Sequence, residues 1–307
     1  MVMTRGQFSK QLVPGLNDIL GAEYGEVLNE HLPLFEVEST KRAFEEEVLM
    51  SSLGVAPTKN EGDGVQFGDM QELWVSRYVM ETIAYGYAIT EEALEDNLYD
   101  TFTKIRTKAL GRAMANTKQI KAANIFNLGF STAYPYGDGQ PLFSASHPTL
   151  IGTNQGNLES TDLSETALES ALIAINLIKD DNDVLIGAIP RSLHIPPHLK
   201  FVAHRILKSE RSTTLGGSAA TNVNDTNAMR DMGLLQDGAF VNHRFSDTDA
   251  WFLKTSVPNG TKMFVRKPLA SATEGDFDTG NLRYKARERY TFGSSDWRQW
   301  RGSSGAG

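Results

Sequence analysis

Asp138, Ser144 and His147 put an acid, a hydroxyl and an imidazole within ten residues of a 307-residue chain, the residue set of nucleophilic hydrolysis. Triad members are brought together by a fold rather than by local sequence, and no GxSxG turn exposes a serine. A hydrolase using Ser144 and His147 is therefore the weaker reading, and a fixed surface loop the better one. His194 and His198 stand four apart with His204 beyond them, a spacing that invites a metal, but Pro196 and Pro197 keep the first two off one helical face. Gly62, Gly64 and Gly68 have the wrong spacing for a phosphate cradle and read as hairpin-tip glycines. With no cysteine there is no disulfide, thiolate ligand or cysteine nucleophile. No catalytic residue, cofactor or metal is expected, and the chain reads as a non-enzyme.

Charge gives a stronger signal. From Leu282 to Phe292, Leu282, Tyr284, Ala286, Tyr290 and Phe292 alternate with Arg283, Lys285, Arg287 and Arg289. A strand of period two would carry an apolar face and a basic face. The basic face has three candidate partners: carboxylates of the same subunit, carboxylates of a neighbour, or phosphate. The one acidic triplet is Glu45, Glu46 and Glu47. Strand residues alternate, so at most two of the three can address one partner, and they are expected to meet Arg283, Lys285, Arg287 or Arg289 of an adjacent subunit.

The elements that must carry these residues begin with a leading amphipathic helix, Leu16 to His31, that docks on the body or on a neighbour. Phe44–Leu53 and Trp74–Ile89 read as extended runs flanking the turn-rich Pro57–Gly68, a long hairpin that is marginal in isolation. A single helix is predicted from Thr90 to about Phe130, with Thr90 as N-cap and Glu91 and Glu92 in its first turn. Its apolar stripe reads as Leu94, Leu98, Phe102, Ile105, Ala109, Ala113, Ile120 and Ala123. At ~1.5 Å per residue it would be about 55–60 Å long. Ser164–Lys179 is a second helix, capped by Ser164 and striped by Leu168, Leu172, Ile175 and Ile178. A short strand at Ser192–Ile195 and a proline-started helix through Ser209 follow. Ser212–Asn227 reads as an exposed loop, Gly238–Phe245, Ala250–Thr255 and Lys262–Val265 as strands, and Gly302–Gly307 as a disordered tail.

Composition sets the class. Apolar and charged fractions of 40% and 22% are ordinary for a globular chain, and no segment approaches the roughly 20 apolar residues of a membrane span. Synthesis in the cytosol is expected. The net charge of −8 argues against DNA binding as a main task, though not against a wall that encloses DNA.

Arm helix, long hairpin, very long helix, α/β segment and returning strands form an α+β order that resembles the major capsid proteins of tailed phages. More narrowly, DGQPLFSASHP at Asp138–Pro148, LHIPPHLKFVAHRIL at Leu193–Leu207, DTDAWFL at Asp247–Leu253 and DFDTGNLRYKARERYTFGSSDWR at Asp276–Arg298 are similar to Mu-like major head subunits. The resemblance implies the Hong Kong phage-type capsid fold: an N-arm (1–35), an extended β-hairpin loop (36–88), a peripheral domain with its spine helix (89–148), an axial domain (149–256), and a return to the peripheral domain with a flexible tail (257–307). It implies a virion protein that forms pentamers and hexamers of an icosahedral shell around double-stranded DNA. A scaffolding protein, a portal and decoration proteins would be partners, and no membrane. The chain starts at the arm, which implies a separate scaffold or an already trimmed scaffolding segment. Lys59 falls where some relatives crosslink, but no catalytic carboxylate matches and no crosslink is expected. The alternative is a nucleic-acid-binding or other phage structural protein.

Overall fold

The computed structural model describes residues 9–90, 99–211, 226–275 and 281–305. In chain order these contain α1 (Ser9–Glu26), β1 (Glu36–Ser39), β2 (Phe44–Met50), β3 (Glu72–Val79), β4 (Glu81–Ile89) and α2 (Tyr99–Asn127). Then come the two-residue strands β5 (His147–Pro148), β6 (Asn154–Gln155) and β7 (Leu158–Glu159), α3 (Glu165–Asn176), β8 (Pro190–Ile195), α4 (Lys200–Lys208) and α5 (Ala228–Met232). Strands β9 (Gly238–Val241), β10 (Trp251–Thr255), β11 (Thr261–Gly275), β12 (Leu282–Ser294) and β13 (Trp300–Ser303) complete the order.

The alternation in β12 sets the first sheet, whose order is β1-β11-β12-β4. Tyr284, Ala286, Glu288 and Tyr290 are buried while Arg283, Lys285 and Arg287 are exposed, so the strand divides into the two faces its sequence implies. Its apolar face packs on the long helix α2 and on α1, where Leu16 and Leu20 join Leu110, Met114, Tyr284 and Ala286 in one core. The leading helix thus docks on its own chain. Gly111 makes the approach possible, since a Cβ there would lie 3.0 Å from the Leu20 carbonyl oxygen.

Helix α2 is long, but its buried stripe is not the one the apolar residues suggest. Thr103, Thr107, Leu110, Met114, Gln119, Ala122, Ala123 and Phe126 face inward, while Ile105, at 58% exposure, and Ile120 face outward and Ala109 is exposed. The reason is hydroxyl chemistry. Thr107 Oγ1 donates to the Thr103 carbonyl oxygen at 2.8 Å, which satisfies the group within the helix and leaves a methyl for packing. The expected first turn (Glu91, Glu92, Leu94 and Leu98) lies outside the described residues.

The hairpin is shorter than the sequence suggests. Only Phe44–Met50 and Glu72–Val79 pair with each other, and the rest of the second run, Glu81–Ile89, belongs to the first sheet as β4. A second sheet, β7-β13-β10-β8-β9, encloses Trp251, Leu253, Leu193 and Ile195 beneath α3, whose Ser164 accepts from the Ala167 N–H and whose Leu168, Leu172 and Ile175, with Ile178 just beyond its end, are buried. Gly302 and Ser303 are not a loose tail but part of β13, packed beside Phe143 and Phe252. A third core, around Phe126, Phe143, Phe252 and Trp300, joins this sheet to α2. Most of the Ser212–Asn227 segment and the last two residues lie outside the described residues.

Candidate interaction surfaces

Asp138 and His147 do meet, but without Ser144. Asn157 fixes the arrangement, because its Nδ2 donates to the carbonyl oxygens of Leu142 (2.8 Å) and Trp300 (3.0 Å). Its Oδ1 is thereby turned toward the Ser144 N–H (2.9 Å) and His147 Nε2 (3.1 Å). His147 Nδ1 lies 2.5 Å from Asp138 Oδ2, and the ring is stacked on Trp297 at a centroid distance of 4.3 Å. The Ser144 hydroxyl accepts from the Ser146 N–H. A nucleophilic triad needs Nε2 free to take a proton from serine, and here Nε2 is the donor to an amide oxygen. The expected surface loop is consequently a buried knot, since His147 and Asn157 are fully inaccessible.

The three spaced histidines are not brought together. His194 is buried, with Nε2 2.9 Å from Ser192 Oγ and its ring on Phe240, while His198 and His204 are exposed on the helical segment beyond. Burial, reinforced by the nearby Lys254 ammonium, holds the His194 pKa down to about 3. Among the described residues no group of three or more His, Asp or Glu could hold a metal.

The ribbon β2–β3 turns a mixed face inward, where Tyr78 packs on Phe264, Glu47 pairs with the buried Lys262 and accepts from Ser295 Oγ, and the Tyr78 hydroxyl meets Ser295 Oγ at 2.5 Å. Burial works against the Lys262 ammonium, but Glu47 and Glu38 outweigh it and hold its pKa above the ordinary lysine value. Its outer face carries Phe44, Val48, Met50, Val75 and Val79, all substantially exposed. The loop joining the strands adds Leu53, Val55, Val65 and Phe67, the last 95% exposed.

Within the acidic triplet, Glu45 accepts from Thr40 and lies near Arg42, Glu46 lies 3.6 Å from Arg77, and Glu47 holds Lys262. Glu45 and Glu47 would have to leave these partners to reach a neighbouring subunit. Composition could not foretell this, because Lys262 and Ser295 are more than 200 residues away in sequence. Lys285, Arg287 and Arg289 lie in a column on the face of β12 away from α2, and among the described residues none of the three has an ion-pair partner within the chain.

A family model of phage capsid proteins matches residues 74–302. None of the curated proteins matches the sequence. Among solved structures, the fold is similar to that of a virus-like particle from Pyrococcus furiosus, with a TM-score of 0.56 and 10% identity, covering 94% of this chain and 97% of that one. The capsid of a native GTA particle matches at a TM-score of 0.54 and 14% identity over 92% of each chain. The procapsid of bacteriophage JBD30 matches at 0.54 and 12% identity, over 98% of this chain and 76% of that one.

Proposed function

This chain belongs to the phage capsid protein family and is a structural capsid subunit, and from that premise we propose that it forms rings of five and six copies that close into an icosahedral shell around double-stranded DNA. The observation that carries the assembly reading is the ribbon β2–β3, whose outer face leaves Phe44, Val48, Met50, Val75 and Val79 exposed to solvent. A two-stranded ribbon with an exposed apolar face is stable when a second surface covers it. Repeated heterologous contacts of this kind close into rings.

In this reading residues 1–35 form the N-arm, 36–88 the extended loop, 89–148 and 257–307 the peripheral domain, and 149–256 the axial domain. The loop crosses to an adjacent subunit, and Glu45, Glu46, Glu47, Arg283, Lys285, Arg287 and Arg289 are contact candidates. A Mu-like head subunit is the narrower identity, supported by the motifs from Asp138 and Asp276 onward. A scaffold, a portal and decoration proteins complete the particle, which assembles in the host cytoplasm, and the acidic chain encloses DNA without sequence-specific binding. Electron microscopy of the purified protein, alone and with a co-expressed scaffold, tests the proposal. Closed shells or ring-shaped capsomers are expected; a monomer under every condition overturns it.

A further inference from the structure

Residues 179–184, between α3 and β8, make a rigid post beside the ribbon β2–β3. Asp180 Oδ1 accepts from the N–H groups of Asn182 (2.9 Å) and Val184 (2.8 Å), an Asx turn that the Asp180 N–H closes on the Val184 carbonyl oxygen at 2.8 Å. Gln155 brackets the turn, accepting from the Lys179 N–H at 3.2 Å and donating to the Asp180 carbonyl oxygen at 3.3 Å. Behind it the buried Arg298 donates to Asp181 Oδ1 at 2.7 Å and to the Lys179 carbonyl oxygen at 3.3 Å. The same guanidinium lies 5.0 Å from the Trp297 ring centroid, so the post cannot shift without disturbing a buried charge.

The loop between β2 and β3 is tied to this post at its neck. Ser51, buried, closes the mouth: its N–H donates to the Gln71 carbonyl oxygen and its Oγ accepts from the Gln71 N–H, both at 2.9 Å. One residue on, Ser52 Oγ donates to Asp180 Oδ2 at 2.5 Å, and Asn182 Nδ2 donates to the Ser52 carbonyl oxygen (2.6 Å) and to its Oγ (3.0 Å). Burial works against the Asp180 carboxylate, but Ser52, the N–H groups of Val184 and Asn182, and Arg298 outweigh it and hold its pKa below the ordinary value. The acceptor is therefore charged, and the Ser52 bond is of the stronger kind. Beyond it, the chain from Leu53 to Met70 is exposed throughout.

The ribbon itself leans on the end of the first sheet, through Glu47 with Lys262 and Tyr78 with Ser295. The post belongs to the connection from α3 into β8 of the second sheet. Three bonds centred on one half-buried serine thus couple the direction of the loop to the second sheet, across 128 positions of sequence. Ser52, Asp180 and Asn182 are all half-buried and polar, so the contact fixes an angle while burying little apolar surface. Without it the loop would pivot on the Ser51–Gln71 pair, the behaviour of a hinge made of a few loop residues. Where the loop reaches the next copy, the angle at its neck enters the angle between copies, and a closed shell has one diameter only if that angle is constant.

We infer that Ser52, Asp180 and Asn182 form a latch within each subunit that sets the direction in which the loop leaves it, and thereby the diameter of the shell. The inference rests on the shell reading above and assigns control of curvature to a contact inside one copy. The rival is that the neighbouring copy alone sets the direction of the loop, with these three residues merely filling the space between turn and ribbon.

The test uses shells of the full chain, sized in electron micrographs. Ser52→Ala with Asn182→Ala removes the latch and leaves the Asp180 turn in place. It is expected to keep assembling but to give shells of mixed diameter where the wild type gives one. A second chain replaces the latch by a covalent bond. A Cβ on Gly54 would lie 3.9 Å from Asn182 Cβ, inside the roughly 3.5–4.5 Å that a disulfide spans. Gly54→Cys with Asn182→Cys, in a chain that has no other cysteine, should therefore give mixed diameters when reduced and a single one when oxidised before assembly. Gly54 has a φ of +73°, which side chains resist, so the two redox states of this one chain are compared with each other. Where the alanine chain fails to fold, that comparison decides. A single wild-type diameter from the alanine chain and from both redox states overturns this inference alone, as does a mixture that oxidation fails to narrow. Wild-type protein that forms no shells overturns the shell reading and this one together.

Discussion

Asn157 shows what one side chain can hold. It joins the loop before β5, the His147 ring and the backbone of β13 through four groups that no water reaches. Asn157→Ala would strand several of these, each worth about 1–3 kcal/mol when left unpaired. A loss of roughly 3 kcal/mol or more in urea unfolding is expected, against less than about 1 kcal/mol for Ser144→Ala. A reversed ranking would restore Ser144 to a central role. His194 makes a second residue-scale prediction. Its folded pKa of about 3 lies below the 6.5 of an ordinary histidine, so the folded protein keeps the ring neutral. Above pH 6.5 the unfolded chain is neutral too, and stability is complete. Below it the unfolded chain takes a proton the folded one refuses, costing on the order of 1 kcal/mol per pH unit until the folded pKa is reached. Urea midpoints should therefore fall from pH 6.5 toward pH 4, and His194→Phe, which keeps the stack on Phe240, should flatten that slope. Equal slopes in the two proteins would refute the assignment.

At the scale of elements, helix α2 is the member whose straightness matters most, because α1 and the first sheet both pack on it. Proline at Arg106 removes one helical N–H and clashes with the carbonyl four residues before, at a cost of about 3 kcal/mol. Arg106 is exposed and its side chain donates to the Ala88 carbonyl oxygen, so Arg106→Ala controls for the side chain. The proline variant should lose shells in electron micrographs, and the alanine variant should retain them. Shells of normal size from the proline chain would show that assembly does not depend on an unbroken α2. The existence of this helix was legible in its length without proline, but its buried face was not. Ile105 and Ile120 are apolar yet exposed, while Thr107 is polar yet buried, because its hydroxyl bonded to its own helix packs as a methyl. In the hairpin, likewise, strand character was legible through Ile89 while the exchange of partners at Met80 was not. Nothing local tells β3 from β4, and only β12 and β2 divide them.

For the whole molecule, the order of elements was enough to point to the fold, because a long helix, a turn-rich loop between strands and a period-two basic strand are each local patterns. Local pattern also fixed the two faces of β12, since side-chain direction in a strand follows from backbone geometry alone. What only the tertiary structure decided is which charges are already spent. Glu47 and Lys285 are equally charged in the sequence, yet Glu47 is held by Lys262 and Ser295 while Lys285 has no ion-pair partner among the described residues. The same holds for Asp138 and His147, whose spacing suggested chemistry and whose surroundings make them a buried brace. Sequence determines a side chain's charge and the face it takes; whether that charge meets a partner depends on residues that approach from hundreds of positions away.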